Sequence, residues 1–540
     1  MARGAGLDDP ENRRRPSGGV PQLEGGRYQD EPDVGHFVRL RERYPDLRPN
    51  IQELIGLARH ERRLRGARVS VPTREPVSEQ VAWKGDIGMG ITIVQKSDLT
   101  IRKRNPRVAL VLAGGAISGG GFKLGGLKAF DDFLVNRKTT DFDMYVGLSA
   151  GAFLAAPLAS GVTPPVMMRS LEGSSEDFTQ FSLLDFYQPN YREFVERPMR
   201  YLLDLAAFVP GSLIDLVAKS PALADRITEP MQAFLRERSL ANLREILLPI
   251  GDALLTTRPF PFPLDYLPSG LFDNSSIERY LRHNLERQHM PNSFKALYQA
   301  RKRELYIVAM NLDSAERVVF GHDEDSSLTI SEAVQASTAL PGFYCPARIR
   351  GIDYVDGGVR RTANIDVAIE HGADLIICYN PFRPFSNRVV RKYDPQKDDY
   401  VAESMQLADR GMLMILNQVL RTLLHSRLQL GLRQYQDDPN FKGDIILIEP
   451  TENDIDFFQM TPLAFWERRR AAQHGYMSVT QSIDTHWDMV RRILESYGIL
   501  MTRKTVSEGM QRMQNAGSPE EASDFLMREI PKRDLSVAKA

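Results

Sequence analysis

The sequence predicts an α/β protein in three layers: a mostly parallel central sheet covered by helices on both faces, carrying a helical insertion. Three observations support this. From Arg107 onward short apolar runs alternate with segments of helical spacing, the first two such runs pass through glycines into helices, and between about residues 161 and 270 the strand-like runs stop. A chain of 540 residues, 42% of them hydrophobic, can bury a sizeable core, as two to four ordinary domains or as one large domain with insertions.

Residues 1 to about 35 are rich in Gly, Pro, Asp and Arg and poor in bulky apolar side chains, which predicts a disordered tail. Helical spacing returns around Leu54, Ile55 and Leu57 with an arginine-rich face, and the first lysine is Lys84. That face reads as a solvated surface, with an acidic lipid or acidic partner as the alternative. These segments form an N-terminal extension over residues 1–100.

A catalytic-type domain is expected over residues 101–450. "RVALVLAGG" reads as a buried strand, "GFKLGGLKAFDDFLVN" as a helix, "FDMYVG" as the next strand and "AGAFLAAPLAS" as its helix. Further strands are expected in "ELYIVAMNL", "ERVVFG", "GIDYVDGG", "DLIICYNP" and "DIILIEP", with helices in "TISEAVQAS" and in the long segment before Tyr435. Residues 451–540 read as a C-terminal helical region.

The net charge of −1 gives no basic field, so nucleic acid as a partner has no support. Two cysteines, Cys345 and Cys378, build neither a disulfide framework nor a structural zinc site. The N-terminus shows no apolar run after its charges, unlike a secretory signal, and no stretch is long and apolar enough to span a bilayer. A cytoplasmic protein is the expectation.

"YVGLSAGA" places Ser149 between Gly147 and Gly151 in the G-x-S-x-G pattern. The pattern alone is weak, because at a glycine usage of about 7% it arises by chance in many long chains. Here it follows a strand and opens a helix, the setting a nucleophile elbow requires. The rival reading is a tight turn with an incidental serine. The glycine-rich stretch "AGGAISGGGFKLGG", residues 113–126, joins the preceding strand to its helix, and backbone N–H groups there suit an oxyanion or a phosphate. Neither the dinucleotide spacing G-x-G-x-x-G nor the Walker spacing occurs in it, which favours the oxyanion.

A nucleophilic serine needs a base. In "YVDGG", Asp356 ends an apolar strand directly before Gly357 and Gly358, at the edge where parallel sheets gather functional loops. A carboxylate bonded to the serine can take its proton directly. A turn or capping aspartate is the bland alternative. His371, His425, His474 and His486 follow Asp356, so the order Ser…Asp…His stays open.

These three elements, in this order, resemble the patatin-like phospholipase family, and the likeness covers roughly residues 107–160 and 270–380, including "LFDNSSIERYL" and "NIDVAIEHGADLIICYNP". The resemblance implies a patatin-like fold, Ser149 as nucleophile, Asp356 as base, no histidine in the pair, and no metal or cofactor. It implies hydrolysis of acyl esters in phospholipids or other lipids, with transient membrane-surface contact. The oxyanion loop would comprise Gly114, Gly115, Ala116, Ser118 and Gly119. The family loop usually runs G-G-G-x-[KR]-G, so Ser118 stands where a basic residue is usual and the loop is about one residue longer; Lys123 substitutes if the register shifts. A catalytically weak lipid-binding or regulatory protein is the competing reading. The insertion is expected to supply the acyl pocket and an interfacial surface, with Phe260, Phe262, Leu264, Tyr266 and Leu267 on a backbone stiffened by Pro259, Pro261, Pro263 and Pro268; packing onto the core is the alternative.

Overall fold

Apolar runs with no polar face become strands buried on both sides. The computed structural model describes residues 90–530 apart from 256–259, 388, 395, 397, 398, 403 and 517. The expected N-terminal tail, the arginine-rich helix and Pro259 lie outside the described residues. In chain order the strands are β1 (Ile91–Val94), β2 (Val108–Leu112), β3 (Met144–Leu148), β4 (Gly270–Phe272), β5 (Glu304–Asn311), β6 (Arg317–Phe320), β7 (Gly342–Tyr344), β8 (Ala347–Ile349), β9 (Ile352–Asp356), β10 (Leu375–Tyr379), β11 (Arg391–Asp394), β12 (Asp399–Ala402) and β13 (Asp444–Ile448). The helices that matter for the site are α1 (Ala116–Phe133), α2 (Ala150–Ser160), α3 (Tyr191–Ala218), α4 (Ser220–Arg236), α5 (Leu240–Leu255), α6 (Ile330–Thr338), α7 (Met412–Asp437) and α8 (Arg468–Thr485).

The main sheet runs β1-β13-β10-β2-β3-β5-β9-β8, with β6 also on β5. Its centre, β13 through β5, is parallel, and β1, β6, β9 and β8 join antiparallel. Successive side chains of a strand face opposite ways, and β2 divides accordingly. Val108, Leu110 and Leu112 join the core under α1, α2, α6 and α8, while Ala109 and Val111 join the core under the helix Ile365–Glu370 and the later half of α7. The result is the expected α/β/α sandwich.

Three boundaries differ from the sequence reading. β1 lies ahead of residue 101 yet pairs with β13, so the sheet begins inside the expected extension. The glycine stretch 113–126 is a loop only as far as Gly115; from Ala116 it is helix. Its glycines are there for packing: a Cβ on Gly125 would lie 1.8 Å from the Ala472 carbonyl oxygen, and one on Gly121 would lie 2.7 Å from that of Arg468. Backbone-to-backbone contact of α1 with α8 therefore makes the region after residue 450 a wall of the same domain.

Within residues 161–270, the first thirty fold back onto the core, burying Met167, Met168, Phe181 and Phe186. From Tyr191 the chain forms α3, α4 and α5, and α4 buries no residue at all. Among the described residues no helix is long and apolar enough to cross a membrane.

Candidate active site

Strand register brings Ser149 and Asp356 together across 207 positions of sequence. Leu148 at the end of β3 pairs with Val308 on β5, and Ala309, the next residue of β5, pairs with Asp356 at the end of β9. The residue after β3 and the last residue of β9 thus meet at one edge of the sheet. Both are buried, 8% and 5% exposed, and Ser149 lies close enough to the Asp356 carboxylate to lower its proton affinity.

The turn that presents Ser149 is strained. Its φ of 54° and ψ of −129° place a non-glycine residue in sparsely populated space, a state that persists only where the surroundings over-determine it. They do so here. A Cβ on Gly147 would sit 2.6 Å from Ala152 Cα, and one on Gly151 would sit 2.0 Å from the Leu112 carbonyl oxygen. The Ser149 N–H donates to Ser337 Oγ at 2.8 Å, and that hydroxyl donates to the Val308 carbonyl at 2.7 Å. Ser337, at the end of α6, thereby ties the elbow to β5, and no sequence motif pointed to it.

Burial pushes the Asp356 carboxyl up to about 6, opposed by the neighbouring Ser149 side chain, the Gly358 N–H at 2.9 Å and the charge of Lys123. Gly357 allows close approach of this turn to β5, since a Cβ there would lie 2.8 Å from the Val308 carbonyl oxygen. The histidines after Asp356 have partners elsewhere. His371 Nδ1 bonds the Val367 carbonyl, His425 faces Glu449 at 3.4 Å, His474 bonds Asp454 at 2.6 Å, and His486 Nδ1 bonds the Ser482 carbonyl. None of these contacts involves Ser149 or Asp356.

The loop Ala113–Gly115 passes beside the serine: a Cβ on Gly114 would come within 3.3 Å of Ser149 Cβ. Gly115, at φ 142°, and Ala116, at φ 52°, turn the chain sharply into α1. The expected donor set narrows here. The Ser118 N–H is taken by the Pro462 carbonyl at 3.1 Å and the Gly119 N–H by the Gly115 carbonyl at 2.9 Å, so neither is available to an oxyanion. No acceptor among the described residues meets the N–H of Gly114, Gly115 or Ala116. Lys123 is wholly buried and bonds the carbonyls of Ala113 and Gly114.

A cavity of about 90 Å³ opens beside Ser149, walled by Leu124, Phe153, Phe181, Phe343, Leu463 and Phe465 among others, with Arg468 as its one charged lining residue. A second of about 50 Å³ shares Leu124, Phe153, Leu154 and Leu171 with it as lining and reaches Met167 and Leu285. The aromatic segment around Phe260 does not line either cavity. Phe260, Phe262, Leu264 and Leu267 are exposed, and the Tyr266 hydroxyl donates to Asp204 at 2.8 Å. The apolar space is therefore built from the core and from the first thirty residues of the insertion, where Leu171, Phe181 and Phe186 line it; the insertion supplies part of the pocket as expected, and its proline-rich end does not. Among the described residues no group of three His, Cys, Asp or Glu is placed to hold a metal ion.

Residues 110–369 match the model of the patatin-like phospholipase family. A probable lipid hydrolase, 463L, of Invertebrate iridescent virus 6 is 24% identical over 104 residues, 19% of this chain and 36% of the viral protein, so the match spans just over a third of that relative. Among solved structures, VipD from Legionella pneumophila is 16% identical over 76% of this chain and 72% of its own, with a TM-score of 0.31. Human GIVD cytosolic phospholipase A2, solved with methyl gamma-linolenyl fluorophosphonate, is 12% identical over 74% of this chain and 61% of its own, with a TM-score of 0.24.

Proposed function

We propose that this chain, a patatin-like phospholipase over residues 110–369, is a lipid acyl hydrolase with Ser149 as nucleophile and Asp356 as general base. The observation that carries the reading is the placement of Ser149 next to a buried carboxylate beside an apolar cavity. A carboxyl raised to about 6 is a stronger base than an ordinary aspartate and is still mostly ionised at neutral pH.

In the first half-reaction Asp356 takes the Ser149 proton as Oγ bonds to the ester carbonyl carbon. The carbonyl oxygen becomes an oxyanion, met by the backbone N–H groups of Gly114, Gly115 and Ala116. The bond to the alcohol then breaks, and the departing oxygen takes the proton from Asp356, leaving the acyl group on Ser149. In the second half a water gives its proton to Asp356 while attacking the acyl carbon. Collapse returns that proton to Ser149 Oγ and frees the fatty acid. No step calls for a metal or cofactor.

The substrate is a phospholipid or another acyl-ester lipid, its chain lying in the cavity beside Ser149 and toward the neighbouring one. Such a substrate resides in an aggregate, and the exposed apolar rows offer the contact: Tyr191, Val195, Met199 and Leu203 on α3, Leu247 and Leu248 on α5, Phe260 and Phe262 after it, and Met412, Leu413 and Leu416 on α7. A cytoplasmic protein that touches membranes peripherally fits these features.

Titration with a serine-directed fluorophosphonate tests the reading. One equivalent should attach at Ser149, and Ser149→Ala should lose both labelling and ester hydrolysis. A folded wild-type protein that neither labels nor cleaves acyl-ester lipids would instead support a lipid-binding role, which the loss of the usual basic residue at Ser118 already makes the competing reading.

A further inference from the structure

Lys123 sits on α1 with no solvent exposure, a placement that is costly for an ammonium unless its surroundings compensate. Its hydrogen bonds go to two consecutive backbone carbonyls, those of Ala113 and Gly114, the latter at 2.8 Å. A peptide unit is planar and trans, so its C=O and N–H point in opposite directions. The carbonyl of Ala113 shares a peptide with the N–H of Gly114, and that of Gly114 with the N–H of Gly115. A cation that draws both carbonyls to itself turns both N–H groups away from itself, and these N–H groups meet no acceptor among the described residues. The loop lies against Ser149.

We propose that Lys123 is the positioning residue of this site: its ammonium orients the Gly114 and Gly115 N–H groups toward the developing oxyanion and holds Asp356 in its ionised form. The inference rests on the hydrolase reading above and assigns to a helix residue the task left open by Ser118. The titratable groups near enough to act on the Lys123 charge are Asp356 at the end of β9 and the Cys378 thiol on β10. Burial lowers Lys123 to about 7 and raises Asp356 to about 6, while their mutual attraction opposes both changes. Activity should accordingly rise through about pH 6 as Asp356 ionises and fall above about pH 7 as Lys123 loses its proton.

The test compares Lys123→Met, which keeps the stem and removes the charge, with Lys123→Arg, which keeps the charge and crowds the site. With Met, kcat on a soluble ester should fall about 10²-fold or more with KM little changed, as for loss of an oxyanion donor. The acid limb of the pH profile should move to higher pH and the alkaline limb should vanish. Folded Arg protein should outperform Met, whereas a packing role would favour Met. Carboxyl ¹³C shifts of aspartate-labelled protein, assigned with Asp356→Asn, should show Asp356 titrating at higher pH in Lys123→Met than in wild type. Full activity of folded Lys123→Met, a uniform loss with an unmoved pH profile, or an unchanged Asp356 titration would overturn the proposal. A wild type lacking Ser149-dependent turnover would refute the hydrolase reading instead, and the carboxyl titration would still decide whether Lys123 governs Asp356.

Discussion

Replacing Asp356 by Asn should make the protein more stable while disabling it. The substitution keeps the side chain's size and an oxygen to accept from the Gly358 N–H, and removes the charge. In the folded protein this carboxyl titrates at about 6 against an ordinary 3.8, so holding it ionised at neutral pH costs about 3 kcal/mol relative to the unfolded chain. The sign follows from the raised value. The folded state binds this proton more tightly, is most favoured below 3.8, and loses that advantage as pH rises through about 6. Asn avoids the loss. The attraction of Lys123 for the carboxylate is already contained in that value. A net stabilisation of about 1–3 kcal/mol at neutral pH is expected, shrinking to nothing in acid. Without its base the enzyme should lose about 10²- to 10⁴-fold in kcat. Urea unfolding of both proteins at neutral and acid pH, alongside hydrolysis of a soluble ester, reads all of this. An Asn variant that is less stable than wild type at neutral pH and still turns over would refute the reasoning.

Ser149→Gly should relieve the strained backbone and stabilise by about 1–3 kcal/mol, while abolishing hydrolysis; denaturant melts and an ester assay check it. Met167→Trp should fill the inner cavity and cut kcat/KM for long-chain esters about tenfold or more, sparing short-chain ones, as paired kinetics on the two substrates will tell. Replacing Phe260 and Phe262 together by Ser should weaken binding to phospholipid vesicles without lowering the melting temperature, since both rings are exposed; a loss of several degrees would mean that they pack the fold.

The parallel centre of the sheet was legible because its strands are continuous apolar runs, as at Val108–Leu112 and Leu375–Tyr379, and because the turns after β2 and β3 carry glycines. Ser149 and Asp356 were legible for the same reason: each lies at a strand end, next to the residues that let the chain turn. What escaped depends on distant partners. β1 is four residues long and becomes a strand by pairing with β13, about 350 positions away. The first residues of α1 resemble a loop in sequence, because glycine disfavours helices, and are helical because α8 presses against them. The cavity wall assembles Phe153, Phe181, Phe343 and Phe465, whose spacing in sequence carries no period to detect. Ser118 matched a motif position, yet its N–H is spent on Pro462, a residue far outside any motif.

That bond to Pro462 gives the site an order of assembly. The N–H groups of Ile117 and Ser118 both close on its carbonyl, and α8 supplies the surface on which α1 rests. A ribosome synthesises Ser149 and Asp356 long before it reaches these residues. Until the residues beyond about 450 emerge, the nascent chain would hold a serine and a carboxylate without the packed loop and apolar wall beside them. Competence for the proposed chemistry would thus wait for α8, and a chain cut near residue 450 would carry both side chains in a site that never forms.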